Sequence, residues 1–316
     1  MDLSELGEFG LIRRIREGEA VPEGVEGIGD DCAVLPQREG FETLVTTDLL
    51  TEGVHFLRED ADPRDLGWKA AAVNLSDIAA MGGRPVGSFL AFALPKGLDS
   101  IWMDAFIEGY RDVSALSATP LLGGDTTSSK DGLCICVTVV GECATGTEVR
   151  RSGARPGDLV CVTGTLGDSA GGLKVILEGL PRGRDEKALV DRHYRPVPRI
   201  PEGQAVAAGG ATAMMDISDG IGSDLGHILE SSGVGARIDV DLLPLSEQLR
   251  RCCGRYGWDP YSLAIDGGED YELLFTMPPE AEKRLTLAHT VIGEITAESG
   301  CIWEGSSQEH RGYKHF

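Results

Sequence analysis

Apolar residues recur along this chain with two distinct periods. Leu66, Ala70, Val73, Leu75 and Ile78 fall at helical spacing, which predicts a helix from Asp65 to Met81 stopped by Gly82-Gly83 and Pro85. Leu3, Leu6, Phe9, Leu11, Ile12 and Ile15 predict a helix over 3–16, and Trp102, Phe106 and Tyr110 predict another over 101–115. Runs of strand character lie at 43–48, 86–94 and 133–141, the last (LCICVTVVG) being the clearest. A Gly/Pro loop, Arg151 to Asp158, marks a domain boundary, so residues 1–150 and 151–316 are expected to form separate domains. Beyond it, strands are predicted at 159–163, 211–216 and 270–276. Helices are predicted from about Ala170 to Glu178, after the Pro-rich stretch Arg195–Pro201, and over Ile221–Ser231. Strands alternating with helices in both halves predict two α/β domains, and the pattern leaves parallel and mixed sheets open.

Composition narrows the class. The chain has 316 residues, 41% hydrophobic and 25% charged, enough to bury a core in each half. No apolar run reaches the roughly 20 residues a bilayer span needs. The acidic start, Met1-Asp2-Leu3-Ser4-Glu5, lacks the pattern of an export signal, so a cytoplasmic protein is expected. A net charge of −22 disfavours nucleic acid and anionic membranes as partners. The eight cysteines include no Cys-x-x-Cys pair, which predicts reduced thiols used as small apolar residues.

The candidate chemistry lies in aspartates placed where apolar runs meet turns. These are Gly29-Asp30-Asp31, Thr46-Thr47-Asp48, Asn74-x-x-Asp77, Gly123-Gly124-Asp125-Thr126-Thr127 and Asp216-Ile217-Ser218-Asp219-Gly220. Aspartate and glycine are ordinary turn formers, and any one segment alone reads as a turn. Five together, flanked by hydroxyls and without compensating lysines, point to hard divalent cations, because converging carboxylates repel unless a cation joins them. Magnesium completes its shell with water and substrate phosphates, so the set reads as a polyphosphate site. Neither a P-loop nor a G-x-G-x-x-G motif is present. Gly167-Asp168-Ser169-Ala170-Gly171 matches the G-x-S-x-G serine-hydrolase elbow, but Gly164-Thr165-Leu166 intervenes after the strand. A glycine-rich loop at a helix start, near phosphate, is the preferred reading there.

The same segments carry a resemblance. Leu6-Gly7-Glu8-Phe9-Gly10, Gly27-Ile28-Gly29-Asp30-Asp31, Glu52-Gly53-Val54-His55-Phe56, Val73-Asn74-Leu75-Ser76-Asp77, Gly124-Asp125, Arg151-Ser152-Gly153, Met215-Asp216-Ile217-Ser218-Asp219-Gly220, Gly267-Gly268-Glu269-Asp270-Tyr271-Glu272 and Gly312-Tyr313-Lys314 follow one another as in the thiamine-monophosphate kinases. The resemblance implies an α/β (α+β) two-domain fold like aminoimidazole-ribonucleotide synthetase, mixed sheets with helices packed on them, and a homodimer formed through the N-terminal domain. It implies phosphorylation of thiamine monophosphate to thiamine diphosphate with ATP and several magnesium ions. Asp30, Thr46, Thr47, Asp48, Asp77, Asp125, Asp216 and Asp219 would hold the metals. Tyr110, Gly124, Asp125, Arg151 and Ser218 would contact ATP, and His55, Glu269 and Tyr313 would line the thiamine side. The acceptor is a phosphate monoester already deprotonated at neutral pH, so no general base is expected beyond the metal ligands. The alternatives are another ATP-using enzyme of the same fold, such as aminoimidazole-ribonucleotide or selenophosphate synthetase, a non-catalytic magnesium-nucleotide module, and a serine hydrolase built on Ser169.

Overall fold

The computed structural model describes residue 17, residues 38–306 and residue 310. The predicted helix over 3–16 lies outside the described residues, as do Asp30 and Tyr313. The chain divides into two compact units, one comprising residues up to 78 and 84–146, the other residues 79–83 and from 147 onward.

The first unit contains β1 (Phe41–Thr51), α1 (Pro63–Ala80), β2 (Arg84–Leu94), α2 (Ser100–Ala115), β3 (Leu121–Ser128) and β4 (Cys134–Ala144). Its four strands run in the order β1-β4-β2-β3. β4 is antiparallel to both neighbours and β2 is parallel to β3, so the sheet is mixed. β4 shows why its sequence was legible: Ile135, Val137 and Val139 are buried while their neighbours are half-buried, the period-two pattern of a strand with one covered face. α1 is different, because Leu66, Ala70–Val73 and Leu75 are all buried, leaving little exposed face. α1 and α2 approach so closely that a Cβ on Gly67 would strike the Phe106 carbonyl, and one on Gly109 the Arg64 carbonyl. Phe92 meets Phe106 edge-on at 5.2 Å, which ties α2 to the sheet.

The second unit holds β5 (Leu159–Val162), α3 (Asp168–Leu177), α4 (Arg184–Tyr194), α5 (Ile200–Gly209), β6 (Ala213–Asp216), α6 (Ile221–Ser232) and β7 (Gly235–Asp239). These are followed by a 3-10 turn (Val240–Leu242), α7 (Glu247–Tyr256), α8 (Pro260–Asp266), β8 (Leu273–Met277), α9 (Pro279–Glu282), β9 (Thr290–Thr296) and β10 (Gly300–Glu304). Six strands run β10-β7-β9-β5-β8-β6. Only the β10/β7 pair is parallel. The core joins Val160, Val162, Met215 and Leu274 from the sheet to Leu189, Leu225, Ile228, Leu249 and Ile265 from the helices.

Three placements correct the sequence reading. Asp48 was expected where a strand ends, but β1 runs on to Thr51, so Asp48 is an interior strand residue. Asp125 was expected at a turn, yet Gly123 to Thr127 form the middle of β3. Glycine suits that strand because a Cβ on Gly124 would collide with the Leu90 carbonyl of β2. The predicted strand at 270–276 begins only at Leu273, since Glu269 and Tyr271 adopt left-handed backbone with φ of 65° and 51°. The seven described cysteines are free thiols. Among the described residues, no helix is long and apolar enough to cross a membrane.

Candidate active site

In the first unit, alternation along β1 sorts the predicted ligands by face. Thr46 and Asp48 share the more buried side with Leu44 and Leu50, whereas Thr47 turns to the exposed side between Val45 and Leu49. Thr46 Oγ1 donates to Asp77 Oδ2 at 2.5 Å. Burial, and then the negative charge of Asp77, push the Asp48 carboxyl up from its ordinary 3.8 to about 7. Thr47 instead donates from Oγ1 to the Val137 carbonyl at 3.0 Å and accepts from Thr138 Oγ1 at 3.0 Å. The structure therefore brings Thr46, Asp48 and Asp77 together and leaves Thr47 on the other face of the sheet.

Asn74, one turn before Asp77 on α1, is fully buried, and its Oδ1 has no hydrogen-bond partner among the described residues. A buried, unmatched oxygen three residues before Asp77 on the same helix is a group that an oxygen-coordinated cation would satisfy. Asp125 is exposed on β3 and accepts from the Thr126 amide at 2.8 Å. Tyr110 is wholly buried in α2. His55 is half-buried in the loop after β1 and accepts the Thr51 amide on Nδ1 at 3.0 Å. For a neutral ring, that contact places the proton on Nε2.

In the second unit, Asp216 ends β6 and is 5% exposed. Ser218 and Asp219 occupy the turn into α6, and Asp224 of that helix accepts both of their amides, at 3.0 and 3.2 Å. Burial, followed by the charges of Asp216 and Asp219, raises Asp224 to about 8. This third acid was missed in the sequence; its signal was its place in the first turn of the helix, five and six residues after Asp219 and Ser218. Glu269 sits beside the turn, its amide donating to the Ser218 carbonyl at 2.8 Å. Arg151 is exposed in the loop that precedes β5.

The glycine-rich loop before α3 is not an open anion site. Its Gly167 and Ser169 amides both donate to the Asp270 carboxylate, at 2.7 and 3.2 Å. Asp270 is 3% exposed, and burial raises it to about 8 against the pull of those amides. The hydrolase reading fails on the same geometry. Ser169 is buried, and its Oγ and the Glu269 carboxylate both approach Nδ1 of His193, at 3.0 and 3.4 Å. A serine-hydrolase triad needs the nucleophile and the acid on opposite ring nitrogens.

Among the described residues, no three Asp, Glu, His or Cys side chains are grouped to hold a metal without further ligands. Magnesium does not require such a group, since it binds through one or two carboxylates together with water and phosphate oxygens. A cleft of about 370 Å³ lined by Arg58, Glu59, Gly97, Leu98, Asp99 and Trp102 contains none of the predicted site residues.

Comparison with known proteins assigns the chain. Residues 29–143 match the AIR synthase related protein N-terminal domain, and residues 155–304 the corresponding C-terminal domain. The thiamine-monophosphate kinase of Salmonella typhimurium (strain LT2) is 41% identical over 333 residues, spanning 98% of both chains. The crystal structure of thiamine-monophosphate kinase from Stenotrophomonas maltophilia K279a superposes with a TM-score of 0.84 at 38% identity, covering 94% of this chain and 95% of that one. A structure described as AaThiL complexed with AMPPCP and TMP gives a TM-score of 0.83 at 38% identity, covering 100% and 99%. By sequence along its whole length and by the fold of both domains, the chain belongs to the thiamine-monophosphate kinase family.

Proposed function

We propose that this chain phosphorylates thiamine monophosphate to thiamine diphosphate, with ATP as donor and magnesium as the required ion. The observation that carries this reading is similarity along the entire chain, at 41%, to an enzyme of that name. The structural neighbour complexed with AMPPCP and TMP supports a nucleotide donor and a thiamine-phosphate acceptor.

Asp48 and Asp77, with the Thr46 hydroxyl, would hold magnesium in the first unit. Thr47 and Asp125 are proposed ligands that this packing does not join to them, and Asp30, outside the described residues, is a further proposed ligand. In the second unit Asp216 and Asp219 are the proposed ligands. Bound there, the ions would neutralise the phosphates of ATP and of an anionic acceptor that otherwise repel each other. The chain's own task is to orient the two phosphates in line and to exclude competing water. No side chain need remove a proton, because the second pKa of a phosphate monoester is near 6. Ser218, Gly124, Arg151 and Tyr110 are the proposed ATP contacts, and His55, Glu269 and Tyr313 the acceptor contacts. A cytoplasmic homodimer is the proposed assembly, and the apolar face of β1 that exposes Val45 and Leu49 by 66% and 54% supports packing of a second copy against it.

The test is to incubate purified protein with thiamine monophosphate, ATP and magnesium and to follow thiamine diphosphate by chromatography. Product that forms with magnesium and vanishes with EDTA supports the assignment. Folded protein that binds ATP but makes no product would refute it.

A further inference from the structure

Only three non-glycine residues among those described have left-handed backbone, and two of them, Glu269 and Tyr271, flank a single residue, Asp270. Such φ values persist only where surrounding contacts enforce them, and they concentrate at functional sites. Here the enforcement comes from three directions. The Glu269 amide donates to the Ser218 carbonyl at 2.8 Å, the Tyr271 amide to the Ile217 carbonyl at 2.9 Å, and the Ile217 amide to the Glu272 carbonyl at 2.8 Å. Between the two strained residues, the Asp270 carboxylate accepts the Gly167 and Ser169 amides. Just beyond, the buried Glu272 carboxylate takes a two-point contact from Arg199 at 2.6 and 2.7 Å, and single contacts from Arg192 at 2.8 Å and Thr163 at 2.7 Å. The Glu269 side chain is gripped separately, its Oε2 lying 3.4 Å from Nδ1 of His193, a ring only 2% exposed. That ring is itself seated by Ser169 Oγ at 3.0 Å. Ser169 thus serves both supports, its amide holding Asp270 and its hydroxyl meeting His193.

We propose that Asp270 and His193 are positioning residues that fix the Glu269 carboxylate for the acceptor substrate, Asp270 through the backbone and His193 through the side chain. The inference rests on the reading that Glu269 faces the thiamine moiety, and it adds the residues that give that carboxylate one position. A group locked by its supports loses little freedom on binding, so loosening them weakens recognition of one substrate and leaves the other untouched.

The experiment measures KM for each substrate and kcat in wild type, Asp270→Asn, Ser169→Ala and Glu269→Gln. Asp270→Asn keeps the side-chain volume but turns an amide donor toward the backbone amides. It is expected to raise KM for thiamine monophosphate about 10-fold while KM for ATP stays within about 2-fold. Ser169→Ala retains the backbone amide and loses only the hydroxyl, and is expected to raise the same KM about 3-fold. If Asp270→Asn does not fold, Ser169→Ala together with His193→Gln decides the matter by the same split. Parallel rises in both KM values, or no change in either, would overturn the proposal. If Glu269→Gln leaves the acceptor KM unchanged, Glu269 does not face the acceptor, and the proposal falls at its premise although the kinase assignment stands. A folded wild-type protein without thiamine monophosphate kinase activity would instead remove the functional reading itself.

Discussion

Replacing Asp48 with Asn should stabilise the metal-free protein, and by an amount that grows with pH. Asp48 lies inside β1, half-buried, and the nearby Asp77 carries the same charge. Its carboxyl is raised from 3.8 to about 7. A carboxyl whose folded-state pKa lies above its unfolded value favours folding least where it must ionise. Below pH 3.8 both states are protonated and the residue is neutral in effect. As pH rises from 3.8 towards 7, the unfolded state sheds its proton and the folded state resists, so stability is progressively lost. The full loss, at about 1.4 kcal/mol per unit over the 3.2 units between 3.8 and 7, is about 4 kcal/mol at pH 8, an upper bound because the group is partly exposed. Asn carries no such penalty. The Asp48→Asn variant should therefore melt close to wild type at pH 4 and higher at pH 8 in the presence of EDTA, by at most roughly 8–16 °C. Adding magnesium should narrow the gap at pH 8, because an ion bound by the folded state alone stabilises the wild type in proportion to its occupancy. Thermal melts at pH 4, 6 and 8, with EDTA or magnesium, would measure both effects. A variant less stable than wild type at pH 8 in EDTA, or a difference that ignores pH, would refute the reasoning.

Three further outcomes follow from the same structure. Asp77→Asn should leave the far-ultraviolet circular dichroism unchanged and lower kcat by at least about 100-fold, measured with saturating magnesium and ATP, since removing a single electrostatic stabiliser commonly costs that much. Glu272→Ala leaves Arg199 and Arg192 facing a buried site without their carboxylate. It should cost about 3 kcal/mol, the low end for a broken buried pair because both arginines reach solvent, and lower the melting point by about 6–12 °C. Gly124→Ala forces a methyl group against the Leu90 carbonyl and should destabilise the first unit by about 1–3 kcal/mol in urea unfolding, whether or not nucleotide is present.

Those variants also show where the sequence was readable. The strand at Cys134–Ala144 emerged within a few residues of its observed ends because burial alternates along it, and the helix at Pro63–Ala80 emerged because a long apolar stretch is stopped by Gly82-Gly83 and Pro85. The short strands Gly235–Asp239 and Gly300–Glu304 did not, since alternating residues such as Arg237 and Glu304 are polar and exposed and the apolar signal is only two or three residues long. The adjacent motif residues Thr46 and Thr47 read as one unit in sequence, but the pleat of a strand sends them to opposite faces. Gly124 read as a nucleotide contact, and its lack of a side chain already has a sufficient cause in the packing of β2 against β3. Asp270 and His193 carried no local motif of their own, because their partners lie 24 to 103 residues away and only the fold brings them together.

The most direct test of the account follows the phosphate itself. Protein incubated with γ-labelled ATP, magnesium and thiamine monophosphate should place label in the terminal phosphate of thiamine diphosphate. A folded Asp216→Asn variant and an EDTA control should place almost none there. Label released only as inorganic phosphate, or passed on equally well by Asp216→Asn, would contradict the claim that these carboxylates support direct transfer to thiamine monophosphate.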